Sequence, residues 1–254
     1  MNNLLLIILF GLMVYVGGKR GLKIFLSLCM NFLIIIFTFY LIVLGINPII
    51  ITLLSLLLVA MVILYYVSGK NKKTEASFIA VLLVLLLLIL LVFIATKNSR
   101  IAGFGYESEE SINMFSYDVN IDFTNICISL ILIGLIGASI DTSISISSAL
   151  YEIYQNNKKI TIKELFRSGM NIGKDIMGTT VNTLFFAFLG EFMTLLIWFK
   201  KDNYLFSEIV NNKTFNQEVI KVLFSVLGCI LVIPVTAVIT AYRLKNGKRE
   251  INFK

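Results

Sequence analysis

Histidine is absent from this 254-residue chain, and cysteine occurs only three times. Without histidine there is no His-based metal site, no Ser-His or Cys-His nucleophile pair and no zinc-protease pattern. Cys29, Cys127 and Cys229 stand singly in or beside apolar runs. They read as small core residues rather than as a disulfide or metal framework. Charge is scarce too, at 15% of residues against 58% hydrophobic. The alternating pattern of a soluble amphipathic domain is missing, and so is the period-2 pattern of a membrane barrel.

What fills the chain is apolar runs of bilayer length. About 20 apolar residues cross ~30 Å of hydrocarbon as a helix. Seven segments can be laid out, over residues 4–16, 24–44, 48–67, 78–95, 125–147, 176–199 and 219–242. The expected fold is therefore an all-α, polytopic membrane helix bundle forming a single transmembrane domain over 1–254. Within it, 1–96 reads as a four-helix scaffold without a polar constellation. Residues 97–123 read as an extracellular loop, and 124–254 as three polar-motif helices with a basic tail.

The basic residues orient the bundle. The first segment is short, and Lys19, Arg20 and Lys23 follow it instead of preceding it. This favours an uncleaved helix with its N-terminus outside and the C-terminus cytoplasmic. In that orientation sixteen of the 22 Lys and Arg residues fall on the cytoplasmic side. The formal charge of +7 is then a topology signal and an attraction for anionic lipid headgroups, not a nucleic-acid patch.

Two connections have a character of their own. The outer loop carries Glu107, Glu109, Glu110, Asp118 and Asp122; it is either simply solvated or a docking surface for a partner. On the inner side, Thr161 and Glu164 have capping-box spacing. "IKELFRSG" after them reads as a short amphipathic surface helix stopped by Gly169.

The stretch "GLIGASIDTSISISSALYEI" over 134–153 places a carboxylate and a row of hydroxyls in an apolar helix. At about 100° per residue, Asp141, Ser145, Ser148 and Glu152 share one stripe. An ionisable group at that depth costs at least ~2.5–3.5 kcal/mol facing lipid, so the stripe is expected to face the bundle interior or a water-filled cavity. The sixth segment offers Asp175, Thr179 and Asn182 on one side, placing Thr179 or Asn182 where Asp141 could meet them. Gly134, Gly137, Gly173 and Gly178 are expected to let neighbouring helices approach closely. Pro234 beside Thr236 is expected to kink the seventh segment. Glu191 lies on a different face and has no assigned role.

These two polar stretches, with "VGGKRGLK", "GINPII" and "VIPVTAVITA" elsewhere, resemble YibE/F-like membrane proteins of low-GC Gram-positive bacteria, and by length the short, YibF-like member. The resemblance implies a multipass protein of the bacterial plasma membrane that works with a longer YibE-like companion or as a homo-oligomer. More faintly, the two polar helices are similar to SecDF and resistance-nodulation-division transporters, where such groups couple proton movement to work. The resulting expectation is an ion-coupled transporter or transport-accessory subunit. Asp141 would bind H+ or Na+, Thr179 and Asn182 would serve as neutral ligands, the Ser145, Ser148 and Glu152 stripe would form the polar route toward the cytoplasm, and Asp175 is a further ion-binding candidate. The alternative is a structural or assembly subunit that transports nothing. Enzyme activity is not expected: Asp141 has only Asp175, at the membrane edge, as an aspartate partner, and no phosphate-cradling glycine loop or cofactor motif is present.

Overall fold

The computed structural model describes residues 2–99 and 123–246, so most of the acidic outer loop and the last basic residues of the tail lie outside the described residues. The described chain is helices joined by short connections: α1 (Asn2–Val43), α2 (Pro48–Met61), α3 (Lys72–Ser99), α4 (Phe123–Asn156), α5 (Ile162–Lys201), the short α6 (Phe206–Asn211) and α7 (Lys213–Asn246). Six of these are long and apolar enough to cross a membrane. This is a polytopic, all-α membrane protein.

The seven-segment reading and the six long helices agree once α1 is followed in space. A straight 42-residue helix would run about 63 Å, twice the hydrocarbon thickness. Gly18, at φ 54° and ψ −134°, breaks it. That backbone conformation is open to glycine and strained for a residue with a Cβ. The chain turns back there: the rings of Phe10 and Phe25 lie 4.8 Å apart, where a straight helix would separate them by about 22 Å. Any Cβ on Gly21 would fall 1.8 Å from the Met13 carbonyl oxygen, so the two halves of α1 are in backbone contact.

Local signals explain the other boundaries. Asn47 caps α2 through its side-chain oxygen, which accepts from Ile49 N at 3.0 Å, and Pro48 occupies the first turn, where its missing N–H is not needed. After Met61 the helix widens into a π-helical turn, Val62–Val67, before the Gly69 reversal. The capping box at Thr161 and Glu164 forms as the spacing predicts, with Glu164 N donating to Thr161 Oγ1 at 3.2 Å and Thr161 N to Glu164 Oε2 at 2.8 Å. The helix it starts does not stop at Gly169. It continues to Lys201 as one 40-residue helix, because Gly169 is a packing contact: a Cβ there would lie 2.9 Å from Ala237 Cβ and 3.0 Å from Leu150 Cδ1. Helix α7 carries Pro234 in its interior.

The core is built around α4 and α7, which pack on each other and together against α3 and α5. One buried cluster joins α2, α3, α4 and α7 through Leu56, Leu88, Ile131 and Val232. A second joins α4, α5 and α7 through Ile146, Leu150, Leu165 and Ala237. Cys127 and Cys229 are buried as expected, but Cys29 faces outward on α1.

The four basic segments meet at one end of the bundle. Lys19, Arg20 and Lys23 share a cavity with Ser68 and Lys73. Arg243 pairs with Glu75, and Lys245 donates to the Ile160 carbonyl. Segments assigned to the same side by counting charges are therefore neighbours in space.

Candidate functional site

Helix α4 carries hydroxyls on two opposite faces, and the structure treats them differently. The inward face is set by Ile140, Ile146 and Leu150, all fully buried. Ser139, Thr142, Ser143 and Ser147 are buried with them; Ser139 donates back to the Leu135 carbonyl of its own helix at 2.9 Å, and the hydroxyls of the other three reach neighbouring helices. Ser147 Oγ and Ser77 Oγ of α3 are 2.6 Å apart. Ser143 Oγ lies 2.9 Å from Thr236 Oγ1 of α7 and donates to the Ser77 carbonyl at 3.3 Å. Thr142 Oγ1 sits 3.2 Å from Cys229 Sγ. Hydrogen bonds of this kind between membrane helices are worth about 0.6 kcal/mol each, and their use here is to fix which helices meet and in what register.

This inward network includes residues that sequence reasoning passed over. Ser77 lies on a segment read as plain scaffold, and α3 also supplies Glu75 to the ion pair with Arg243. The available signal was the phase of the isoleucines: following Ile136, Ile140 and Ile146 picks out Ser139 and Ser143, whereas following the aspartate picks out the opposite side.

The outward face is the Asp141 stripe. Asp141, Ser145 and Glu152 are exposed and Ser148 is half-buried. Of the two surroundings expected for this stripe, the bundle interior and a water-filled cavity, the packed interior of this chain is not the one that Asp141, Ser145 and Glu152 take. The reason is that hydroxyls line both sides of α4, so apolar packing decides the rotation, and the side with Ile140, Ile146 and Leu150 buries more apolar surface. Asp141 makes no hydrogen bond or ion pair to any described residue.

Helix α5 repeats the arrangement. Asp175, Thr179 and Asn182 are all exposed. Thr179 Oγ1 donates to the Ile176 carbonyl at 2.9 Å, and Thr183 Oγ1 to the Thr179 carbonyl at 2.9 Å, both within the helix. The structure does not bring Asp141 into hydrogen-bond contact with Thr179 or Asn182. The glycines divide in the same way. Gly173 is packed so closely that a Cβ would lie 2.2 Å from Ile233 Cγ2, and at Gly134 it would lie 3.0 Å from the Lys221 stem. At Gly137 and Gly178 nothing comes within 4 Å. These two open glycines sit beside the outward polar groups.

A third polar group closes the opposite end of the bundle. Lys221 of α7 pairs with Glu191 of α5 at 3.2 Å and with Glu218 one turn away, while its stem covers Gly134 of α4. One lysine thus ties three helices, and Glu191 gains a role as an interhelical ion-pair partner.

The family comparison covers this whole arrangement, because the YibE/F-like protein model matches residues 5–246. The chain belongs to the YibE/F-like family. No curated protein and no solved structure matches it. In this YibE/F-like protein the α1 reversal, both polar faces of α4 and the stripe of α5 all lie within the matched residues.

Proposed function

We propose that this YibE/F-like protein is one subunit of an ion-coupled transport assembly in the bacterial plasma membrane. Its α4 and α5 stripes form one wall of a polar path that a companion membrane chain completes. The observation that carries this reading is Asp141, a carboxylate in a membrane-spanning helix, on an exposed face with no hydrogen-bond or ion-pair partner among the described residues. Left against lipid it costs at least ~2.5–3.5 kcal/mol. Covered by a chain that offers hydrogen-bond donors or water, it becomes a group that can take up and release H+ or Na+. Ser145, Ser148 and Glu152 continue the same stripe toward the basic end, and Asp175, Thr179 and Asn182 supply exposed oxygens on the next helix. A longer YibE-like companion is the occupant that the family resemblance supports. The reading is of a non-enzymatic protein.

A second reading is favoured by the open Gly137 and Gly178. Small residues on an exposed membrane-helix face suit close helix docking, and a purely structural subunit would need nothing more. Carbodiimide modification of Asp141 in native-like membranes across pH, with Asp141→Asn as control, separates the two. Labelling that rises as pH falls and is protected by Na+ supports an ion site. Absence of labelling at every pH, with the companion bound normally, rejects ion coupling and leaves the docking subunit.

A further inference from the structure

We infer that the cavity between the α1 reversal and the α2–α3 turn is a binding site for the phosphate-bearing headgroup of an anionic phospholipid. Two glycine reversals build it. Gly18 places Lys19 and Arg20 immediately after the turn and Lys23 one helical turn further on; Gly69, at φ 75°, follows Ser68 and leads into α3 with Lys73 in its first turn. These segments, some fifty residues apart, enclose a cavity of about 390 Å³ lined by Lys19, Arg20, Lys23, Val67, Ser68 and Lys73.

The lining is one-sided in charge. It holds four cations and no carboxylate. No described carboxylate pairs with any of the four, and the nearest acid in sequence to Lys73, Glu75, is engaged by Arg243. Four like charges around one cavity repel one another unless an anion sits among them. A phosphate answers that need: it takes several charge-assisted hydrogen bonds at once, from the planar Arg20 fork, the three ammonium groups and the Ser68 hydroxyl. Inner-leaflet phospholipid is the source that fits the location. The cavity lies at the basic, cytoplasmic end of the bundle, where anionic headgroups are concentrated. The α1 surface leading away from it exposes Leu22 and Leu26, one helical turn apart on one face, where acyl chains can lie.

The test uses the full-length protein purified in mild detergent. Retention of phosphatidylglycerol over phosphatidylcholine is read by native mass spectrometry for the wild type, for Lys23→Gln/Lys73→Gln, and for Lys158→Gln/Lys159→Gln, which removes equal charge elsewhere at the same end. A photoactivatable phosphatidylglycerol on the wild type maps the contact without any substitution. Expected are preferential retention by the wild type, at least tenfold weaker retention in the Lys23/Lys73 variant, near-normal retention in the Lys158/Lys159 variant, and crosslinks within 19–23 and 67–73. Equal loss in both variants, or crosslinks elsewhere, would reduce the effect to general surface attraction and overturn the site. Millimolar inorganic phosphate binding there without any preference among lipids would assign the cavity to a soluble anion and overturn the lipid.

Discussion

Ser143 and Ser145 are two residues apart on one helix, yet they lie in different surroundings. Ser143 is fully buried and bonded to Thr236 and to the Ser77 carbonyl. Ser145 lies on the exposed side with Asp141. The difference teaches that a row of small polar residues in a membrane helix does not by itself mark a face. The bulky apolar residues between them do, since they decide the rotation, and whatever polar groups remain on the other side are left for water, lipid or another chain. In α4 the aspartate is among those left over.

The comparison is tested hardest at the glycines. Gly173→Leu drives a side chain into Ile233, whose Cγ2 lies 2.2 Å from the Cβ position. Overpacking of this kind costs about 1–3 kcal/mol or more, so a marked fall in the thermal midpoint of detergent-solubilised protein is expected. Gly178→Leu, five residues on, meets nothing within 4 Å, and the midpoint of the isolated chain should hold. Equal losses at both positions would show that the α5 stripe is packed and not open.

The serines give the next largest contrast. Ser143→Val removes the partner of Thr236 and a donor to the Ser77 carbonyl in a buried site. Losses up to about 1.7 kcal/mol are the upper range for such bonds in membranes. Ser145→Val gives up no hydrogen bond to a described residue and should stay within about 0.5 kcal/mol of the parent. If the two variants melt together, the inward network contributes nothing beyond shape.

Much of this architecture is legible in the sequence, and the physical reasons mark where legibility ends. Apolar run length and charge bias survive any rotation of a helix about its axis, so the spans, the Thr161 cap and the basic end can be read directly. Rotation cannot be read so easily when polar groups occupy both sides: the stripe is expected against the bundle interior or a water-filled cavity, whereas in this chain Asp141, Ser145 and Glu152 are exposed and Ser148 is half-buried. Gly169 could have been a helix stop or a contact. Only the approach of Ala237 and Leu150, residues distant in sequence, decides for contact. The Ser77–Ser147 pair spans 70 residues, and nothing local to either serine announces the other.

A smaller effect is expected where charge alone holds the helices. Glu75 and Arg243 pair at the basic end with side chains about one-third exposed. Exposed ion pairs contribute roughly 0.2–1 kcal/mol, so Glu75→Gln should lower the midpoint slightly, and less so in high salt, where screening has already weakened the pair. A loss as large as that of Gly173→Leu would mean that this pair, and not the buried hydroxyls, fixes how α3 meets α7.

Asp141→Asn should have the smallest effect of all on the isolated chain, and for that reason it tests the comparison most sharply. Asp141 has no hydrogen bond or ion pair to lose among the described residues, and the amide keeps nearly the same shape, so the midpoint should move by less than about 0.5 kcal/mol equivalent. If the proposed assembly and ion coupling hold, the same change in the assembly removes the only ionisable group in the middle of the α4 stripe, and carbodiimide labelling and ion-dependent activity vanish together. A drop in stability comparable to that of Ser143→Val would place Asp141 in an internal hydrogen bond and turn the stripe inward. An unchanged midpoint with activity retained would leave the outward face as a docking surface whose carboxylate transfers nothing.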